Sequence, residues 1–278
     1  MKWGISQMQK TLGLCVALLL YANLLEASER GFEFTGAYWL LKANGTVRSG
    51  GAPADIKFDL GVRGNKSLIL GKAVYRPARK HRILVEFIPY RLRAANVLGR
   101  GFAFAGTPFP SGDAIAFKLD VNYFFGGYQY DIVNRERGHI GLLAGLGYFQ
   151  GKARISSYET GASAKDSRSG PLPLIGMAFR GYLTDNRLVN INGEVKGMSY
   201  GGYGEYLQGM VNLGIGIAKR VTLQIGYTAL HADLHDRPGL RGMELRFAGP
   251  MISVEFAERG GDDPRSRDPK PVNRRPDQ

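Results

Sequence analysis

From Gly31 to Phe256 the chain repeatedly alternates apolar and polar positions with a period of two. That period belongs to a strand with unlike surroundings on its two faces. From Val221, the residues Val221, Leu223, Ile225, Tyr227 and Ala229 fall on one side, and Thr222, Gln224, Gly226 and Thr228 on the other. From His139, the set Ile140, Leu142, Ala144, Leu146 and Tyr148 opposes Gly141, Gly145, Gly147 and Gly151. Further on, Ile115, Phe117, Leu119, Val121 and Tyr123 oppose Lys118, Asp120 and Asn122. Ten such segments lie near 31–42, 67–76, 81–93, 114–131, 138–155, 172–183, 187–199, 206–218, 220–232 and 241–256. A shorter stretch, Ile56–Phe58–Leu60, reads as a loop extension. No window sustains an amphipathic helix, and no apolar run in 28–256 reaches transmembrane-helix length. The fold class is all-β.

A sandwich in water would alternate as well, but three features predict a closed antiparallel transmembrane β-barrel instead. The segments are about as long as a tilted strand needs to cross hydrocarbon, longer than the 5–6 residues usual in soluble sheets. Short connections (77–80, 132–138, 184–186, 219) alternate with long ones (43–66, 94–113, 156–171, 233–240), with 201–205 the exception. That rhythm matches short periplasmic turns and longer outer loops. Aromatic residues gather at segment ends, as in Phe32, Phe34, Tyr128, Tyr130, Tyr182, Tyr200 and Phe256, where interfacial girdles would lie. About 10 strands are expected, with 8 or 12 also compatible with even parity.

The ends differ from this pattern. Lys2 and Lys10 precede an uncharged run from Leu12 to Leu25, and Ala27 offers a cleavage position, so 1–27 reads as a signal peptide. Cleavage there would remove Cys15, the single cysteine, and no disulfide or cysteine metal site could follow. Residues 257–278 hold six Lys/Arg, five Asp/Glu, four prolines and no aromatic residue, the composition of a disordered periplasmic tail. The barrel would occupy 28–256.

With the alternation, the loop rhythm and a final strand ending Ile252–Ser253–Val254–Glu255–Phe256, the chain resembles the bacterial outer-membrane β-barrel superfamily, in particular its small OmpA-like and OmpW-like members. The resemblance implies Gram-negative outer-membrane location and recognition of the last strand by the barrel-assembly machinery. Members commonly end on that terminal Phe, whereas here 22 residues follow it.

If the more apolar set faces lipid throughout, the lumen collects Glu33, Lys72, Glu86, Lys118, Asp120, Arg180, Glu194, Lys196, Glu244 and Arg246. Five acids then meet five bases, which predicts mutual pairing inside a narrow barrel. Barrels of about eight strands are filled by side chains and open channels appear near 16, so the lumen should be mostly occluded. That favours a structural or surface-interaction role, with a narrow solute channel as the alternative. On the same assumption the apolar parity flips at Gly126–Gly127 and Gly249–Pro250, predicting β-bulges there.

Candidate chemistry is sparse. His231, Asp233 and His235 share one strand face and could converge on a metal or a water. Asp233 and His235 resemble half of the omptin protease site, but the paired aspartates of the other half are absent. Their parity also places all three toward lipid, as polar residues closing a strand would be. No His-x-Ser motif of lipid A deacylases and no phosphate-binding loop occurs. The expectation is a non-enzymatic chain without cofactor or metal; a lipid-modifying or proteolytic barrel is the least favoured alternative.

The formal charge of +13 is not carried by the tail. Arg48, Arg63, Arg91, Arg93, Arg100, Arg154, Lys165 and Arg168 fall in or beside the outer loops, where they would face lipopolysaccharide phosphates or simply keep the loops solvated. Outer-membrane lipids are the expected partners, with peptidoglycan or a periplasmic protein candidates for the tail and nucleic acid excluded by compartment.

Overall fold

A computed structural model describes residues 31–49, 52–199, 201–202, 204–235 and 241–258. The proposed signal peptide and residues 259–278 of the proposed tail lie outside these described residues. Ten long strands follow one another round a closed antiparallel barrel: β1 (Gly31–Ser49), β3 (Asn65–Ala78), β4 (His81–Val97), β7 (Ala114–Arg135), β8 (Gly138–Ser157), β9 (Ser163–Tyr182), β10 (Val189–Ser199), β11 (Gly204–Ala218), β12 (Val221–His235) and β13 (Arg241–Glu258). The last strand pairs with the first, from Phe32 opposite Glu258 to Ser49 opposite Arg241. Closure leaves the barrel with no outermost strand, which a sheet in hydrocarbon requires. Ala257 and Glu258, expected in the tail, extend β13.

Three short elements decorate the long-loop end. β2 (Ala54–Asp55) adds to β1, and β5 (Phe102–Phe104) with β6 (Thr107–Phe109) forms a hairpin between β4 and β7. The segment predicted as a loop extension begins within a turn, with Ile56 and Leu60 buried and Phe58 exposed.

The strands are longer than a membrane requires. β7 has 22 residues, β8 and β9 20 each and β1 19, whereas about 9–11 tilted residues cross the hydrocarbon. Their two halves therefore meet different solvents. In the half nearer the short turns, apolar side chains point outward: Ile83, Val85, Phe124, Tyr128, Leu142, Leu146, Ile225 and Ile252 are exposed. In the half nearer the long loops the same alternation continues with the contents exchanged. There Trp39, Leu41, Leu92, Ile115, Phe117, Leu119, Ile155 and Phe247 are buried inside, and most outward positions are polar or small, with Val97 and Leu207 exposed exceptions.

This exchange corrects two expectations. Parity is unbroken through Gly126–Gly127, where Phe125 is buried inward and Tyr128 exposed. It is equally unbroken through Gly249–Pro250, with Phe247 and Met251 both buried. What changes is which face is apolar. Gly127 makes room for a neighbour, since a Cβ there would lie 2.6 Å from the Phe125 ring. Gly249 permits close strand approach: its Cβ would fall 1.9 Å from the Leu40 carbonyl oxygen, and its own carbonyl accepts the Trp39 indole N–H at 3.2 Å. The irregularities in register lie elsewhere, between Tyr75 and Ala78, Asp131 and Val133, and Gly216 and Ala218, all near the short turns.

Gly249→Val is therefore expected to cut the folded, heat-modifiable fraction severalfold on refolding. Gly126→Ala, whose Cβ meets nothing within 4 Å, is expected to leave it unchanged. Gel migration with and without heating measures both.

Candidate functional site

The lower interior is a layer of charges. On β10, Lys196 reaches Glu86 of β4 at 2.7 Å and Glu194 at 2.9 Å, while Lys72 of β3 also pairs with Glu194. The Lys196 ammonium sits 4.4 Å from the centre of the Phe125 ring, an added cation–π contact. Gln208 donates to the second Glu86 oxygen at 3.2 Å, and Tyr206 donates to Gln208 at 2.7 Å. Nearer the short turns, Arg180 bridges Glu33 at 3.2 Å and Glu255. Arg82 meets Asp131 at 3.0 Å and Glu33 at 3.5 Å, and its guanidinium lies 3.2 Å from His139. Amides complete the layer: Gln129 donates to Asp131, Gln224 to Glu255, and Asn212 to Asn192. Such charges are tolerated away from water because each has an opposite charge or a hydrogen-bond partner. A cavity of about 60 Å³ remains among them, bordered by Glu33, Arg82, His139 and Arg180.

Six of the ten residues expected in the lumen meet here: Glu33, Lys72, Glu86, Arg180, Glu194 and Lys196. The other four are corrected. Lys118 and Asp120 project from the outer face of β7, 3.2 Å apart, and Glu244 and Arg246 from the outer face of β13, 2.8 Å apart. They sit in the water-facing half, where the apolar side chains have turned inward. Arg82, Asp131 and Glu255 belong to the charge layer and were not anticipated. Arg82 shares the parity of Glu86, and Glu255 that of Ser253; Asp131 follows from unbroken parity along β7.

Above the charges the interior is apolar. Trp39, Tyr90, Phe117 and Phe247 are buried there; Tyr90 stacks on Phe247 at 5.1 Å, and Tyr123 on Tyr206 at 5.6 Å. Phe102, Phe104 and Phe109 of the hairpin, with Ile56, Leu60 and Val62, join this core from the loops. A carbon-lined void of about 40 Å³ borders Tyr90, Phe149, Leu172 and Leu245.

Over the mouth, Arg100 donates to Asp59 at 2.7 Å and ties the loop after β2 to the loop after β4. That hydrogen bond holds the Asp59 carboxyl below its ordinary range. Arg63 is exposed in the first of these loops and Arg48 lies on the upper part of β1. Arg91, Arg93, Arg154 and Lys165 stand on the outer wall rather than in loops, and Arg168 turns inward to Asp166 at 3.4 Å.

His231, Asp233 and His235 lie on the outer face of β12. His231 meets Glu205 at 3.1 Å and His235 meets Asp233 at 3.3 Å, each within the wall. No group of three or more potential metal ligands occurs among the described residues.

Replacing Lys196 with Met strands Glu86 without its buried cation, and the expected loss is about 3–5 kcal/mol. Adding Glu86→Gln should recover a large part of it. Urea unfolding in detergent measures both. At the mouth, the lowered Asp59 value means that the Arg100 link stabilises fully above the ordinary carboxylate range and fades as pH falls through the lowered value. Arg100→Ala should therefore speed limited proteolysis near Asp59 at neutral pH, whereas the wild type should reach that rate only in acid.

The chain matches no protein-family model and no curated protein by sequence. Among solved structures, the outer membrane protease OmpT of Escherichia coli superposes with a TM-score of 0.52 at 11% identity, covering 83% of this chain and 97% of that one. Ail of Yersinia pestis aligns over 83% of this chain and 99% of its own at 14% identity, with a TM-score of 0.38. Together with the outward apolar belt and the closed ten-strand sheet, the first of these matches identifies the chain as a transmembrane barrel with the fold of the bacterial outer-membrane β-barrel proteins.

Proposed function

We propose that the chain is a non-enzymatic outer-membrane barrel with an occluded lumen, serving a structural or surface-interaction role. The observation that carries this reading is the sequence of two filled layers along the barrel axis. An ion that found water among Glu33, Arg82 and Arg180 would next meet the carbon layer of Trp39, Phe117 and Phe247. Such a layer excludes ions by refusing to wet. In planar bilayers the purified protein is expected to give no sustained conductance. Steady nanosiemens openings would overturn occlusion and favour the narrow solute channel.

Proteolysis, the activity named for the Escherichia coli neighbour, is the less favoured reading. It would need Asp233 and His235 to act from a wall facing away from the barrel mouth. Asp233→Ala is expected to leave both a peptide-library digest and the lipid A mass spectrum unchanged.

A further inference from the structure

The outer coat carries unlike charges on opposite sides of the barrel. Arg93 of β4 stands opposite Lys118 of β7, Lys118 opposite Arg154 of β8, and Arg154 opposite Lys165 of β9. Lys118 reaches Asp120 at 3.2 Å, and no carboxylate among the described residues pairs with Arg93, Arg154 or Lys165. On the other side, Glu205 of β11 stands opposite Asp233 of β12, and Asp233 opposite Glu244 of β13. Glu244 has Arg246 beside it at 2.8 Å, and the other two acids have histidines. Like charges directly opposite one another destabilise a sheet, so each row costs free energy that a surface of the other sign would relieve.

Position makes each row the complement of the other. In the ring of ten long strands β7 and β12 are five places apart, as are β8 and β13, so the two rows face opposite ways. They also stand at one height. The last large apolar residues on the outer face are Phe124 of β7, Tyr148 of β8, Tyr227 of β12 and Pro250 of β13. Lys118, Arg154, Asp233 and Glu244 each occupy the third outward position beyond them. Two copies embedded upright in one membrane therefore bring cations to acids without tilt or vertical shift.

Shape adds a second match. Beneath the acids, the lipid-facing surface is hollowed into a groove of about 560 Å³ among Val211, Leu213, Ile225, Tyr227, Pro250 and Ile252. Just above it Gly209, Ala229 and Ala248 stand side by side on β11, β12 and β13, with little side chain to fill the space. Beneath the cations lies a ridge instead. Phe87 and Phe124 pack ring to ring at 4.5 Å, Phe124 stands opposite Tyr148, and both Phe124 and Tyr148 are exposed. Apolar surfaces inside a bilayer associate through close packing rather than through exclusion of water, and an aromatic ridge facing a hollow at the same depth offers it.

We propose that these two walls are a self-association surface whose partner is a second copy of this chain. Strands β7 to β9 of one copy dock on β11 to β13 of the next, with Lys118 and Arg154 on Asp233 and Glu244, and Phe124 and Tyr148 in the groove. The contact joins two different patches on opposite sides, so it propagates into rows of barrels instead of closing as a two-fold pair. It names a partner for the interaction role above and rests on that role. A conducting pore would refute occlusion and leave the association result below untouched, so the two can fail separately.

The test is energy transfer between donor- and acceptor-labelled full chains, refolded together in phosphatidylcholine vesicles free of lipopolysaccharide. Each chain has Cys15 replaced and carries its dye on Gln278→Cys. Transfer should exceed that of random mixing at the same density and fall as salt screens the charge pairs. Lys118→Glu/Arg154→Glu and Asp233→Lys/Glu244→Lys should each weaken association at least about tenfold, since attractions become repulsions, while keeping heat-modifiable migration. Mixing these two variants should restore transfer between them, because one then carries acids on both walls and the other cations on both. Lys57→Glu/Arg63→Glu, which shifts the net charge equally but at exposed positions over the mouth, should associate like the wild type. Gly209→Trp, whose Cβ meets nothing within 4 Å, should obstruct the groove and weaken association without touching a charge. Random-level transfer in the wild type, or undiminished transfer in either reversed variant, would overturn the self-association surface. Failure of the mixed variants to recover would overturn the pairing of the rows, and unchanged transfer in Gly209→Trp would overturn the apolar contact.

Discussion

A strand that crosses a bilayer and continues into water must satisfy two solvents with one alternating sequence. Hydrocarbon accepts Leu142 and Ile252 on the outer face but would reject Lys118 or Arg154 there. Water imposes the opposite demand on the same face a few residues later. The chain answers by exchanging the contents of its two faces part-way along most of the long strands while keeping the pleat continuous. β10, whose inward Asn190, Asn192, Glu194 and Lys196 are all polar, shows no exchange. Below the exchange the barrel is apolar outside and charged inside. Above it, the barrel resembles a soluble protein, with an aromatic core and a polar coat.

The two interiors follow from that constraint. Once the lower outer face is given to lipid, polar residues must point inward, and a ten-strand barrel has too little room to hydrate them individually. They are resolved as mutual pairs in which Lys196 serves two carboxylates and Glu33 two guanidinium groups. Buried ion pairs of this kind add little net stability, yet removing one partner is costly. The upper half has the reverse freedom. Its inner face can pack like any hydrophobic core, and the loops after β1 and β4 contribute Ile56, Leu60, Phe102 and Phe109 to it. The cost appears on the outer coat, where strands held in register set Arg93, Lys118, Arg154 and Lys165 side by side.

All ten barrel strands were legible in the period-two pattern, as were the antiparallel order, the closure and the inward glycines of β8. Period two reports which residues share a face and is silent about which face is inside. Treating the apolar set as outward everywhere succeeded for Glu86, Glu194 and Lys196, which lie within the belt. It failed for Lys118, Asp120, Glu244 and Arg246, which lie beyond it. The same assumption turned a change of solvent into bulges at Gly126–Gly127 and Gly249–Pro250. A signal was nevertheless present: an apolar set that changes parity across glycines in strands much longer than 11 residues points to a strand leaving the membrane. The row of cations was legible only as composition, because cross-strand neighbours depend on register, which loop length alone does not set.

The most direct test is a scan of accessibility along the outer face of β8. The chain's single cysteine is Cys15, so with that residue replaced one spin label at a time can stand at 142, 146, 150, 152 or 154 in lipid bilayers. The account predicts that labels at 142 and 146 collide with oxygen dissolved in the membrane and that labels at 152 and 154 collide with a water-soluble nickel chelate, with the crossover near 150. A label at 154 as lipid-accessible as one at 142, or no crossover along the strand, would contradict it.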